Sequence, residues 1–236
     1  WLNAVALAFT LVAIGVAVQF DGAPVVIGWA AEGAALAWLG VRLGNRAFQW
    51  GGFGLWLLAV LHLSDQLTDT PAGFSALWNA RSLATAFVLV CGYTMAARLA
   101  SSTMAAGTRL RTVIHVVASA LTVGWLTAEI QSFWAVRSDS AQAHLYEQML
   151  LSLAWGAYGA TLIVVGLMRR FAPLRYIGIS IIAITGLKVF FYDLWELGGI
   201  YRVIGFLGFG VVLVLVSYLY QNRRATSRHA LPDDHH

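Results

Sequence analysis

Three ionisable side chains lie inside apolar runs from which a bilayer would exclude them: Glu32, Glu129 and Lys188. A charge at the centre of a membrane helix costs at least ~2.5–3.5 kcal/mol, so such residues face the interior of a bundle and find partners there. At a rise of about 1.5 Å per residue, counting in from the ends of their runs puts all three about 7–12 Å below the same membrane surface. His62 and Asp65, three apart and therefore on one helical face, fall slightly above that depth, with Arg81, Asp193 and Arg202 at the ends of their runs. Glu32 or Glu129 has the chemistry of a general base, and Lys188 or Arg202 that of a clamp on an anion such as a lipid-linked phosphate. The same set also suits a proton or ion relay, or a polar cavity that binds without reacting.

Each residue has a structural reading beside the functional one. Lys188 can extend its stem outward to Asp193 or Glu196, or pair inside the bundle with Glu129, Glu32 or Asp193, expected in that order. Asp65 with Arg81, and Asp193 with Arg202, read as ion pairs or caps that pin loops, since carboxylate and guanidinium satisfy each other in bidentate geometry. Glu32 and Glu129 must be partnered or uncharged at their depth. Residues 223–236 form a polar tail whose His229, His235 and His236 read as disordered rather than as a metal site; no resident metal or cofactor is expected.

These side chains must be positioned by membrane helices. Apolar residues make up 59% of the chain and charged ones 11%, against roughly a quarter charged in soluble proteins. Eight apolar runs reach the ~20 residues needed to cross a hydrocarbon core, near 2–20, 25–43, 47–66, 81–99, 111–136, 147–168, 173–194 and 200–221. The runs are continuous rather than alternating, which argues against a β-barrel; the fold class expected is all-α, a polytopic helical bundle. The four prolines fall at run edges or in loops, and Cys91, the one cysteine, reads as core packing. The chain opens on Trp1 directly into a span, which points to a longer native protein.

Arginines set the orientation, because short loops rich in Lys and Arg stay cytoplasmic. One set of loops carries Arg42, Arg46, Arg98, Arg109, Arg111, Arg169, Arg170 and Arg175, and the tail adds Arg223, Arg224 and Arg228; the other set holds most of the acids. Both ends are therefore expected in the cytoplasm. The basic balance follows from this rule and implies no nucleic-acid binding.

The segment Trp-Ala-Ala-Glu-Gly-Ala-Ala-Leu-Ala-Trp-Leu-Gly at 29–40 aligns without gaps on Trp-Gly-Ala-Tyr-Gly-Ala-Thr-Leu-Ile-Val-Val-Gly at 155–166. An Arg-bearing turn follows each copy, then a helix ending in Asp65 or Asp193, then a loop leading to Arg81 or Arg202. This predicts two four-helix repeats, 1–110 and 111–222. An even number of spans per copy gives them the same orientation, with an axis along the membrane normal. Glycines within the spans read as sites of close helix contact.

Residues 188 to 210 read Lys-Val-Phe-Phe-Tyr-Asp-Leu-Trp-Glu-Leu-Gly-Gly-Ile-Tyr-Arg-Val-Ile-Gly-Phe-Leu-Gly-Phe-Gly. The Lys-x4-Asp, the short Leu-containing loop, the Tyr-Arg pair and the Gly-rich last helix resemble the closing segment of a bacterial inner-membrane family known as domain of unknown function 2339. The resemblance implies a multi-pass membrane fold in the cytoplasmic membrane and no reaction. Members of that family are usually longer, so the chain corresponds to their C-terminal end.

No His-Glu-x-x-His, Gly-x-Ser-x-Gly, Walker loop or dinucleotide fingerprint occurs, which disfavours familiar hydrolases and nucleotide enzymes. Phe74, Leu77 and Trp78 recur at helical spacing and suit an interfacial amphipathic turn, as a lid or an anchor. The reading that fits best is a binding or scaffold subunit of a cell-envelope assembly, with an outward polar cavity for a partner protein, lipid headgroup or glycan. The alternatives are an envelope enzyme acting on a lipid-linked or glycan substrate, and a transporter or channel subunit with a Glu/Lys relay.

Overall fold

The computed structural model describes residues 2–68, 74–100, 105–136 and 141–193. They form helices α1 (Leu2–Gln19), α2 (Ala23–Arg42), α3 (Arg46–Gln66), α4 (Ala80–Ala100), α5 (Ala105–Ala135), α6 (Ala141–Met168) and α7 (Ala172–Lys188), the last continuing as a π-helical turn, Val189–Asp193. The described residues contain no strand, and six helices, α2 to α7, are long and apolar enough to cross a membrane. Of the other two spans expected, 2–20 coincides with the 18-residue α1, whose described apolar stretch is Leu7–Gln19, and the run 200–221 lies outside the described residues. The chain divides into two compact units, residues 1–182 and residues 183–236. Of the second unit, the end of α7 and the π-helical turn are described, with Phe190 and Phe191 meeting edge to face at 5.1 Å.

Glycine and tryptophan build the core of the first unit. α2 and α3 touch backbone to backbone at Gly33 and Gly52: a Cβ at Gly33 would stand 2.7 Å from the Gly52 carbonyl oxygen and 2.8 Å from the Trp56 nitrogen. With no hydrophobic drive between helices in lipid, such close approach supplies the packing energy. Trp56 is fully buried and fits its indole against Gly92 of α4, where a Cβ would come within 2.6 Å of the ring. Its Nε1 donates to the Val88 carbonyl at 2.9 Å, so the one polar atom of the largest core side chain is satisfied. Thr85, Thr122 and Thr127 donate to the carbonyls of Arg81, Ala118 and Val123, each 2.8 Å away and four residues back in its own helix, which lets hydroxyls sit within spans without an outside partner.

The α2–α3 and α6–α7 connections match bond for bond. In the first, Leu43, Gly44 and Asn45 donate their N–H groups to the carbonyls of Leu39, Val41 and Gly40; in the second, Arg169, Arg170 and Phe171 donate to Val165, Leu167 and Gly166. Both form the helix-ending motif in which the residue after the cap is left-handed: Gly44 has φ 61° and Arg170 φ 50°. The same constant separation carries Gly33 and Gly52 onto Gly159 and Gly178, which also meet backbone to side, a Cβ at Gly178 coming 2.6 Å from the Gly159 carbonyl oxygen. Trp29 Nε1 donates into α1 at the Ala13 carbonyl, and Trp155 Nε1 into α5 at the Thr127 hydroxyl. Beyond α7 the correspondence shifts. The constant separation takes Asp65 to Phe191 rather than Asp193, and the π-helical turn lies at this point.

Candidate functional site

α4 and α5 hold the most concentrated polar cluster, at the end of the first unit opposite the Arg-bearing turns. Asn79 precedes α4 and caps it, its Oδ1 accepting from the Ser82 N–H at 2.8 Å, which satisfies one of the open donors of the first turn. That cap sets Arg81 and Ser82 on the face that meets Glu129 of α5. Arg81 Nη2 lies 2.8 Å from Glu129 Oε1 and 3.1 Å from the Ser132 hydroxyl. Ser82 Oγ donates to the same carboxylate oxygen at 2.9 Å and accepts from Trp125 Nε1 at 3.0 Å. Asn79 Nδ2 donates to Oε1 and Oε2 at 3.0 and 3.2 Å, and the Leu77 backbone N–H to Oε2 at 3.0 Å.

Glu129 thus accepts from four residues, and both it and Arg81 are buried. Breaking such a pair leaves an uncompensated buried charge. Oε1 is enclosed by Arg81, Ser82 and Asn79, whereas Oε2 accepts from the Leu77 N–H and, at 3.2 Å, from Asn79 Nδ2, which also donates to the Ser75 carbonyl at 3.1 Å. What it does is hold the loop. Leu77 and Asn79 are tied to Glu129 on either side of Trp78, whose side chain is 81% exposed, and Leu77 is itself left-handed, with φ 66°. Despite the helical spacing of Phe74, Leu77 and Trp78, residues 74–79 are not helical, and the Leu77 N–H donates to the carboxylate.

Of the other residues singled out by the sequence, Asp65, His62 and Glu32 of the first unit make no described hydrogen bond or ion pair with this cluster. Asp65, expected to pair with Arg81, is exposed at the end of α3 and makes no ion pair among the described residues; α4 turns Arg81 toward α5 instead. Glu129, placed first among partners for Lys188, pairs with Arg81 within the first unit. His62 is exposed on α3, its ring 5.9 Å from that of Trp29. Glu32 is buried on α2 with both carboxyl oxygens lacking a hydrogen-bond partner among the described residues. Lys188 lies half-buried in the second unit, Asp193 ends the π-helical turn, and Arg202 lies outside the described residues.

Sequence reasoning missed Asn79, Ser82 and Ser132 around Glu129. An Asn three residues ahead of a Ser at the head of an apolar run was the available signal for the cap. It also missed a second polar grouping at the Arg-bearing end, where a pocket of about 570 Å³ lies between α4, α5, α6 and the α6–α7 turn, with Tyr93, Arg111, His115, Arg169 and Phe171 in its walls. Arg111 and His115 are four apart on α5 and so share a face, but the arginines were read only as markers of orientation. Groups of three or more His, Cys, Asp or Glu able to hold a metal are absent among the described residues.

Comparison with known proteins adds one finding. Residues 50–223, well over half of the chain, match the model of a family described as predicted membrane protein (DUF2339). No curated protein and no solved structure matches. The match takes in α4 and α5 with their buried ion pair and both Gly-packed helices of the α6–α7 hairpin, and the chain belongs to the DUF2339 family of membrane proteins.

Proposed function

We propose that the protein is a binding or scaffold subunit of a cell-envelope assembly in the bacterial inner membrane, contacting its partner through the loop that Glu129 clamps. The observation that carries this reading is the combination at residues 77–79: a strained backbone fixed on both sides by a buried carboxylate, presenting Leu77 and Trp78 to the outside at 58% and 81% exposure. Backbone strain persists where the surroundings enforce it, and it concentrates at sites that bind. A Trp is also the residue type most enriched where proteins dock. The loop belongs to the outward polar layer expected from sequence, because Glu129 of that set holds it. Partners of the right chemistry are an apolar patch on an envelope protein or the apolar face of a lipid-linked glycan.

The arginine asymmetry supports an orientation in which this loop faces away from the cytoplasm and the turns at 43–45 and 169–171 face it. The bond-for-bond match of those turns supports descent of 1–110 and 111–222 from one duplicated four-helix unit.

A photoreactive amino acid at Trp78 tests the reading in living cells, with one at Leu61, on the surface of α3, as control. A discrete protein or glycan adduct at 78 and lipid adducts alone at 61 are the expected result. Lipid adducts alone at both positions would reduce the loop to an interfacial anchor and end the proposal. A second reading, proton or ion conduction, is favoured by Glu32, a buried carboxyl without a partner among the described residues; proton flux into proteoliposomes that Glu32→Gln abolishes would replace the first reading with this one.

A further inference from the structure

At the Arg-bearing end of the first unit, Arg111 of α5 and Arg169 at the end of α6 line the same pocket of about 570 Å³ as His115 and Tyr93. Neither arginine has an ion-pair partner among the described residues. Arg111 lies over the Phe171 ring at 4.0 Å, and its Nε is buried without a hydrogen-bond partner. His115 Nδ1 stands 2.8 Å from the Arg111 carbonyl oxygen; a carbonyl can only accept, so Nδ1 carries the proton and the imidazole is held in one orientation. The His115 ring packs at 5.1 Å on Phe171 and at 5.8 Å on Tyr93.

From this arrangement we infer that the pocket binds a phosphate-bearing anion. An arginine that merely extends to water keeps its nitrogens hydrated, whereas Arg111 holds a desolvated donor that nothing among the described residues satisfies, at a cost of the kind native structures avoid. A phosphate oxygen supplies the missing acceptor, and the flat guanidinium matches phosphate in forked geometry. Stacking on Phe171 fixes the plane of that fork before the ligand arrives, which reduces the ordering needed on binding. The volume falls in the range of small-molecule pockets, roughly 300–1,000 Å³, large enough for a glycerophosphate headgroup. The lower wall is apolar, with Leu162 buried and Val165 and Tyr93 each 37% exposed on the surface of the spans, so an acyl chain has a path along the bundle. Basic pockets between membrane helices take anionic lipid headgroups in this way. The site lies at the opposite end of the unit from the 77–79 loop and does not depend on the function assigned to that loop.

The test uses the full chain, reconstituted in bilayers of equal parts phosphatidylcholine and phosphatidylglycerol and then moved to detergent, with the retained lipid counted by mass spectrometry. The unaltered protein should keep phosphatidylglycerol in excess over phosphatidylcholine. Arg111→Gln and Arg169→Gln should each weaken retention about tenfold, the value of one hydrogen bond to a charged group. Arg109→Gln, which removes the same charge from an exposed position of α5 outside the pocket, should leave it unchanged. Arg169 is exposed, so its variant keeps the test decisive if Arg111→Gln does not fold. A parallel arm measures the melting temperature in phosphatidylcholine alone with inorganic phosphate against chloride at equal ionic strength. Stabilisation there that Arg169→Gln removes assigns the site to a soluble phosphate, and selective lipid retention without it assigns the site to a headgroup. Equal losses in Arg109→Gln and Arg169→Gln, or no selectivity in either arm, overturn the inference.

Discussion

Arg81 and Glu129 form a buried ion pair at 2.8 Å that joins the first turn of α4 to the middle of the second half of α5. Sequence spacing offered Asp65 to Arg81 and Lys188 to Glu129. The described pair is Arg81 with Glu129, whose carboxylate also accepts from Leu77, Asn79 and Ser82. Glu129→Gln should destabilise the protein by about 3–5 kcal/mol, because Arg81 is left buried and uncompensated. Arg81→Met combined with Glu129→Gln should recover at least half of that loss. Unfolding in a graded denaturing detergent measures both, and additive losses in the double variant would show that the pair is not a unit.

The contact of Gly33 with Gly52 and Trp56 makes Gly33 intolerant of any side chain. Gly33→Ala should cost about 1–3 kcal/mol, since the new Cβ meets backbone atoms that cannot rotate away. Gly54→Ala on α3, where nothing lies within 4 Å, should be neutral or stabilising by up to ~1 kcal/mol through reduced chain entropy. The comparison is one of melting temperatures, and an equal effect at the two positions would remove the packing argument.

Gly44 and Arg170 occupy matching left-handed positions, but only one of them is a glycine. Gly44→Ala should lose about 1–2 kcal/mol, the steric cost of a Cβ in that region. Arg170→Gly should gain up to ~1 kcal/mol, partly offset by the greater freedom of the unfolded chain. Thermal unfolding should therefore move in opposite directions for the two substitutions; movement in the same direction would mean that the turns are not under the same constraint.

Topology can be read by thiol labelling. Cys91 is buried within α4 and should give little background. In cells with any outer membrane permeabilised, Ser75→Cys should react with an impermeant reagent, and Thr108→Cys only after the inner membrane is opened. Both positions are exposed. The reverse pattern would invert the orientation and place the basic pocket on the far side of the membrane.

The composition and the continuous apolar runs of this chain determined an all-α membrane fold and located α1 to α4 to within two residues, because lipid enforces backbone hydrogen bonding within each span; α5 and α6 each begin six residues before their apolar runs. The turns after Gly40 and Gly166, whose backbone bonds match, follow segments 29–40 and 155–166 that align without gaps and share the glycines at which helices meet. Which charges pair was decided only by the tertiary structure. Glu129 and Arg81 are 48 residues apart, and their meeting depends on how α4 rotates against α5, which Asn79, Ser82 and Trp125 fix through contacts that leave no periodic mark. The basic pocket was hidden for a related reason: Arg111 and Arg169 belong to different helices, and the α6–α7 turn, by placing Phe171 beneath Arg111, turns two arginines that otherwise mark membrane orientation into the walls of one cavity.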